Sequence, residues 1–214
     1  MIKAILFDFD GTLANTIDLI IATFEHTCQT VLGSVPEREK IVNTFGLPLP
    51  EAMLKLSGRA DLVEEMRNVY REYNDNHHDD MIQPIDGVTE TLAALKARGV
   101  KIAVVTSKKP RMLHRGIACL GLGGYIDAII ALGDTKESKP HADPMLAACA
   151  KLGVKPEECL CVGDSPFDLQ SGRNAGAKTV AVRYTAFAWE KILAEGKPDY
   201  VIERPEDLLE LVGE

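Results

Sequence analysis

Short apolar runs rich in Ile and Val recur along the chain, at residues 2–8, 100–107, 125–132, 159–165, 178–184 and 199–203. Most are continuously apolar rather than alternating, the pattern of strands buried on both faces of a parallel sheet. Helical patterns lie between them. Val88, Leu92 and Leu95 share one helix face that stops at Gly99, and an Asp143-Pro144 start and a Gly153 stop bound a second helix. A third helical pattern ends at Gly176. Strand and helix alternate from about residue 82 onward. This predicts an α/β fold, a Rossmann-like three-layer core whose parallel sheet is covered by helices on both faces.

Residues 15–81 break that rhythm, because every pattern in them is helical. In the first of these helices Leu19, Ile20, Thr23, Phe24 and Thr27 recur at helical spacing. An all-helical block between the first strand and the remaining strands reads as an insertion, with junctions near residues 13–16 and 80–84. The expected division is a catalytic core of residues 1–14 and 82–214, and an α-helical cap of residues 15–81. Leu208, Leu209, Leu211 and Val212 near the end read as a helix face packed on the core. The glycine-rich stretch 121–125 follows a helix rather than a strand and reads as a turn, not a nucleotide loop.

Composition narrows the partners. The 214 residues are 46% hydrophobic and 26% charged, enough apolar material for a sizeable core. A net charge of -8 and a pI of about 5.2 argue against a nucleic-acid partner. The apolar stretch 2–7 is too short for a signal segment or a membrane span. Five cysteines, at 28, 119, 149, 159 and 161, are odd in number and lack CxxC spacing, so they read as reduced thiols. A cytoplasmic protein is the expectation.

The strand ends carry the chemistry. Ligands of an open parallel sheet sit at the carboxyl ends of its strands. Here those ends are Asp8-Phe9-Asp10, Thr106-Ser107-Lys108 and Gly163-Asp164, with Asp168 four residues further on and Lys139 in a loop before a helix start. Converging carboxylates repel one another unless a cation joins them, and oxygen-only ligands suit a hard ion, Mg²⁺ above all. The set fits phosphoryl transfer, in which an anionic nucleophile must approach an anionic phosphate. Asp8 would attack phosphorus and form an aspartyl-phosphate, while Asp10 would move protons for the leaving group and the hydrolytic water. Asp164, Asp8 and the Asp10 carbonyl would hold the metal, with Asp168 as a further ligand or an orienting group. Thr106 and Lys139 would grip the phosphoryl group. Gly11, Thr12, Ser107 and Lys108 would complete its binding site, the first two through backbone N–H groups.

Four ordered motifs carry a family resemblance. "DFDGT" at 8–12, "VVTS" at 104–107, "SKPHADP" at 138–144 and "VGDSPFD" at 162–168 resemble those of the haloacid dehalogenase-like phosphatases over essentially the whole chain. The helical insert is similar to that family's cap. "GRNAGAKTVAV" at 172–182 resembles the phosphoglycolate phosphatase group, and three further segments, "TIDLIIATFEHT", "NDNHHDDM" and "KPDYVIERPEDLLELV", resemble its bacterial pyrophosphatase branch. One departure lies in the Lys139 loop: the family usually has KPxPxP or KPxPDP, whereas His141-Ala142 precede Asp143-Pro144 here. It bears on the loop's rigidity rather than its chemistry. The resemblance implies a Mg²⁺-dependent phosphohydrolase of a small phosphorylated substrate, with inorganic pyrophosphate and 2-phosphoglycolate nearest.

Other readings remain beside this one. "DFDGT" alone is also an Asp-Gly turn, and Ser165 before Pro166 is also a helix N-cap. His77 and His78, adjacent on a helix, point about 100° apart and read as a polar helix end, although either could line the cleft. The Pro-Gly segment 45–51 is either a connector or a cap loop reaching the leaving group. A sugar-phosphate mutase or a broad-specificity sugar phosphatase would share every motif. A haloacid dehalogenase would not need Asp10, and a signalling receiver would be about half as long. For the leaving group, Lys55, Arg59, Arg67, Arg71 and Lys108 are all available, and the sequence does not choose among them.

Overall fold

The computed structural model describes residues 1–213. In chain order the elements begin with β1 (Ala4–Phe7), β2 (Ala14–Asn15), α1 (Ile17–Leu32), α2 (Arg38–Val42), α3 (Leu49–Ser57), α4 (Val63–Met81) and β3 (Gln83–Pro84). There follow α5 (Val88–Ala97), β4 (Lys101–Val105), α6 (Pro110–Cys119), β5 (Ala128–Ile130) and α7 (Asp143–Leu152). The last are β6 (Cys159–Gly163), α8 (Pro166–Ala175), β7 (Lys178–Val182), α9 (Trp189–Lys191), β8 (Tyr200–Ile202) and α10 (Leu208–Leu211).

Six strands form one parallel sheet in the order β5-β4-β1-β6-β7-β8. The chain builds outward from β1 through β4 and β5, then returns to the other side of β1 to build β6, β7 and β8. The crevice beside β1 is therefore the point where strand order reverses, the place such sheets hold ligands. It also makes β4 and β6 the two neighbours of β1, so three of the four motif loops meet at one edge.

The continuous apolar runs resolve into two faces by the two-residue period of a strand. Ile5, Phe7, Ile102, Val104, Leu160 and Val162 pack with α5 and α6 through Leu92, Leu95, Leu113 and Ile117. Ala4, Leu6, Ala103, Val105, Cys159 and Cys161 face α7 through Met145, Ala148 and Leu152. Burying each such large side chain contributes about 1.5–3 kcal/mol, so the central strands anchor the fold. The C-terminal stripe packs as expected, with Leu208 buried and Leu209, Leu211 and Val212 against the first of these layers. Helix α6 was not evident in the sequence, since only Leu113, Gly116 and Ile117 of it are buried.

Helices α1 to α4 leave the core and return to it side by side. The outgoing β2 and the incoming β3 pair antiparallel, Ala14 with Pro84 and Asn15 with Gln83. The apolar face of the helical block comes from Ile21, Phe24, Ile41, Ala52, Met53 and Met66, and it is continuous with Leu169, Phe187 and Ile192 of the core. Cys28, Cys149, Cys159 and Cys161 are buried, Cys119 is exposed, and none is in a disulfide. Among the described residues no helix is long and apolar enough to cross a membrane.

Candidate active site

The first motif is set by how its middle residue is buried. Phe9 is fully buried in the layer under α5 and α6. Helix α6 has Gly116 where a Cβ would come within 2.9 Å of the Phe9 ring, so the ring and the helix backbone are in close contact. With Phe9 turned into the core, Asp8 and Asp10 both line the cleft above the sheet edge. The turn beyond closes on Phe9, whose carbonyl accepts from the N–H groups of Thr12, Leu13 and Ala14.

Asp8, Asp164 and Asp168 come together there, with carboxylate oxygens within 4.8 Å of one another, and all three are buried. Lys139 joins two of them. Its ammonium donates to Asp8 Oδ1 at 2.7 Å, to Asp168 Oδ1 and to the Val105 carbonyl at 3.0 Å. The other oxygen of Asp168 accepts from the Ser165 N–H at 3.1 Å and the Ser165 hydroxyl at 2.5 Å. Asp168 is thus committed on both oxygens, and Ser165 with Asp168 forms the capping box of α8. The Asp164 carboxylate accepts no hydrogen bond from the described residues. Gly11, at φ +80°, allows this: a Cβ there would lie 2.5 Å from Asp164 Oδ2.

Three carboxylates sharing one ammonium set the local charge. Burial, Lys139 on one side and Asp168 on the other, leaves Asp8 raised to about 7, burial being the largest cause. Asp164 is raised well above its ordinary value by burial and by Asp168 and Asp8. Burial would lower Lys139, but Asp168 and Asp8 outweigh it and hold the ammonium well above its usual range. The two partners shift upward together because one ammonium has several carboxylates to hold it, while each carboxylate has only a share of one ammonium. The centre is short of positive charge, and a buried, unbonded Asp164 beside Asp8 is the donor set a hard cation takes.

The remaining residues divide. Thr106, Ser107 and Lys108 line the cleft, but each has a protein partner. The Thr106 hydroxyl accepts from the Lys108 N–H at 3.1 Å, the Lys108 ammonium donates to Asp10 Oδ1 at 2.7 Å, and the Ser107 hydroxyl donates to the Gly46 carbonyl at 3.0 Å. Asp10 is therefore ion-paired outside the cluster of three carboxylates. The backbone N–H cradle expected at Gly11 and Thr12 differs: these groups donate within the turn, to Ala14 O at 2.8 Å and Phe9 O at 3.3 Å. Thr12 does not line the cleft, and its buried hydroxyl has no partner. The tight turn consumes the donors that would face a phosphate.

The cleft has a volume of about 580 Å³ and lies between the sheet edge and the helical block. The segment Thr44 to Pro50 lines it. Neither His77 nor His78 does. His77 stacks on Tyr73, while His78 is buried with Nδ1 on Asp79 at 2.7 Å. The Lys139 loop is held despite its unusual sequence, because Ser171 Oγ donates to the His141 carbonyl at 2.6 Å and Asn174 Nδ2 to the Pro140 carbonyl at 2.9 Å.

A family model for haloacid dehalogenase-like hydrolases matches residues 5–182. The chain belongs to the haloacid dehalogenase-like hydrolases. A Clostridium perfringens protein with the provisional name pyrophosphatase PpaX is 46% identical over 99% of this chain and 98% of its own length. Pyrophosphatase PpaX of Halalkalibacterium halodurans is 40% identical over 99% of this chain and 97% of its own. Among solved structures, a predicted phosphoglycolate phosphatase from Haemophilus somnus superposes with a TM-score of 0.87 at 25% identity, over 98% of this chain and 97% of that one. This haloacid dehalogenase-like hydrolase is a phosphatase-class enzyme with a parallel-sheet core.

Proposed function

We propose that the enzyme hydrolyses a small phosphorylated anion, inorganic pyrophosphate in the first place and 2-phosphoglycolate in the second, through an aspartyl-phosphate on Asp8. The observation that carries this is the Asp8 carboxylate, 8% exposed at the cleft floor and fixed by Lys139, which Asp168 and the Val105 carbonyl hold in turn. The similarity to PpaX pyrophosphatases over nearly the full length supports the first substrate.

In this reading Asp8 Oδ attacks phosphorus as the bond to the leaving oxygen breaks. Asp10, across the Phe9 turn, gives that oxygen a proton and later takes one from the water that hydrolyses the acyl phosphate. Lys139 neutralises the nucleophile's surroundings, and Thr106 and Ser107 border the phosphoryl group. Asp164 and Asp8, with the Asp10 carbonyl, would hold Mg²⁺; bound there, the ion supplies charge neutralisation for the transferring phosphate. Asp168, both of whose oxygens are engaged, orients Lys139. Residues 15–81 act as a cap over the core, swinging on the β2–β3 ribbon and reaching the leaving group through the Thr44 to Pro50 loop.

Phosphate release measured in parallel from pyrophosphate, 2-phosphoglycolate and several sugar phosphates with Mg²⁺ tests the proposal. Pyrophosphate should give the highest kcat/KM, by about tenfold or more, a margin of 1.4 kcal/mol in transition-state binding. An isomerised phosphosugar without free phosphate would instead indicate a mutase.

Metal binding and pH act on stability together. Without metal, the fold retains a proton on Asp8 up to about 7 that the unfolded chain releases near 4. Stability therefore falls as pH rises through that window. Mg²⁺ requires the ionised carboxylates, so its stabilisation grows as pH rises. Thermal unfolding with and without excess Mg²⁺ should show a larger gain in Tm at about pH 8 than at about pH 5.5. Equal gains at both would place the ion elsewhere.

A further inference from the structure

The cleft is not uniformly acidic. Its floor holds Asp8, Asp164, Asp168 and Lys139, but its wall at α4 and the start of α6 carries Arg67, Arg71, Lys109 and Arg111. Arg67 and Arg71 are four residues apart on α4 and so share a face. Two of these cations have carboxylate partners: Arg67 with Glu64 at 2.5 Å, and Arg111 with Asp75. Arg71 and Lys109 have none within salt-bridge reach among the described residues. Arg67 Nε is buried and also lacks a partner. In a chain of net charge -8, uncompensated cations gathered against one wall of a cleft are a specific arrangement. The Lys109 ammonium is lowered by desolvation first and then by Arg71 and Arg67, with Glu64 opposing them.

The other cationic side chains named by the sequence have protein partners. Arg59 pairs with Asp61 on the exposed surface, and Lys55 donates to the Asn43 carbonyl at 2.9 Å. Lys108 is taken by Asp10. Of the cationic residues available in the sequence, geometry therefore selects Arg67 and Arg71, and adds Lys109.

We propose that Arg71 and Lys109, backed by Arg67, form a subsite for a second phosphate, so that the enzyme selects phosphoric anhydrides whose leaving group is itself a phosphate dianion. This rests on the reading of Asp8 as the phosphoryl acceptor. A neutral alcohol leaving group would leave both cations uncompensated, and a carboxylate such as glycolate's brings one negative charge. A leaving phosphate brings two, and its oxygens match the guanidinium fork. The Arg71 and Lys109 side chains thus set specificity without touching the phosphorus under attack.

Calorimetric titration of the Mg²⁺-loaded enzyme with methylenediphosphonate, phosphonoacetate and methylphosphonate tests this. The wild type should bind the diphosphonate at least tenfold more tightly than methylphosphonate, with phosphonoacetate between. Arg71→Gln and Lys109→Gln should each weaken the diphosphonate about tenfold and methylphosphonate less than twofold. Arg71→Lys, which keeps the charge but not the fork, should recover only part of the loss, and Arg59→Gln, on the exposed surface, should change nothing. Equal binding of the three ligands by the wild type, or equal loss of all three in Arg71→Gln, would overturn the subsite. Phosphate release by the wild type separates the two levels: no release from any anhydride or monoester fails the Asp8 reading, whereas release with a diphosphonate affinity that survives both substitutions fails the subsite alone.

Discussion

Asp8→Asn should abolish turnover, lowering kcat by about 10⁴-fold or more, the scale seen when a nucleophile is removed from a preorganised site. Asn has nearly the shape of Asp, and its carbonyl oxygen can still accept from Lys139, so the fold should persist. Without metal at about pH 8 the variant should be at least as stable as the wild type, because it removes a carboxylate that burial holds up to about 7. The same variant should gain less Tm from Mg²⁺. Phosphate-release kinetics and paired thermal melts check both parts. Appreciable remaining turnover would remove Asp8 from the nucleophile's role, and a collapsed near-ultraviolet dichroism spectrum would show a structural role instead.

Lys139→Met should have the largest effect on stability. The side chain is 3% exposed and is bonded to Asp8, Asp168 and a carbonyl, so its loss leaves buried carboxylates with no counter-charge. Removing one partner of a buried ion pair costs about 3–5 kcal/mol. The cost should depend on pH with a definite sign. In the variant the carboxylates lie still higher, so the folded state keeps protons that the unfolded chain loses above about 4. Stability should therefore recover as pH falls and be lost as pH rises. Urea unfolding at about pH 5 and about pH 8 reads this directly, with the larger deficit at the higher pH. A deficit independent of pH would mean that packing, not charge, is what Lys139 supplies.

The sheet was legible because its strands are buried on both faces, which leaves unbroken apolar runs such as 4–7 and 159–162. The convergence of Asp8, Asp164, Asp168 and Lys139 was legible for a related reason: parallel strands send all their carboxyl ends to one edge. Three things were not. Helix α6 has a narrow buried face of Leu113, Gly116 and Ile117 and gives little periodic signal. The fate of the Gly11 and Thr12 N–H groups depends on how tightly the turn closes on the Phe9 carbonyl, which spacing does not reveal. The cationic wall draws on α4 and the start of α6, about 40 residues apart in sequence, so only packing brings Arg71 beside Lys109. At Ser165 and Asp168 the two sequence readings proved compatible, since one carboxylate caps α8 and holds Lys139.

The ribbon of Ala14–Asn15 and Gln83–Pro84 also bears on how such a chain is inherited. Facing residues of an antiparallel pair stand about 4.5–5.5 Å apart, little more than one peptide step of about 3.8 Å. Everything between them can therefore be lengthened, shortened or exchanged as one cassette without moving a strand of the sheet. Leu169, Phe187 and Ile192 limit the exchange, because the helices now cover them. A replacement cassette must bring its own apolar face to that spot, and within that condition Arg67 and Arg71 on α4 are free to vary while Lys109 and the floor around Asp8 stay fixed.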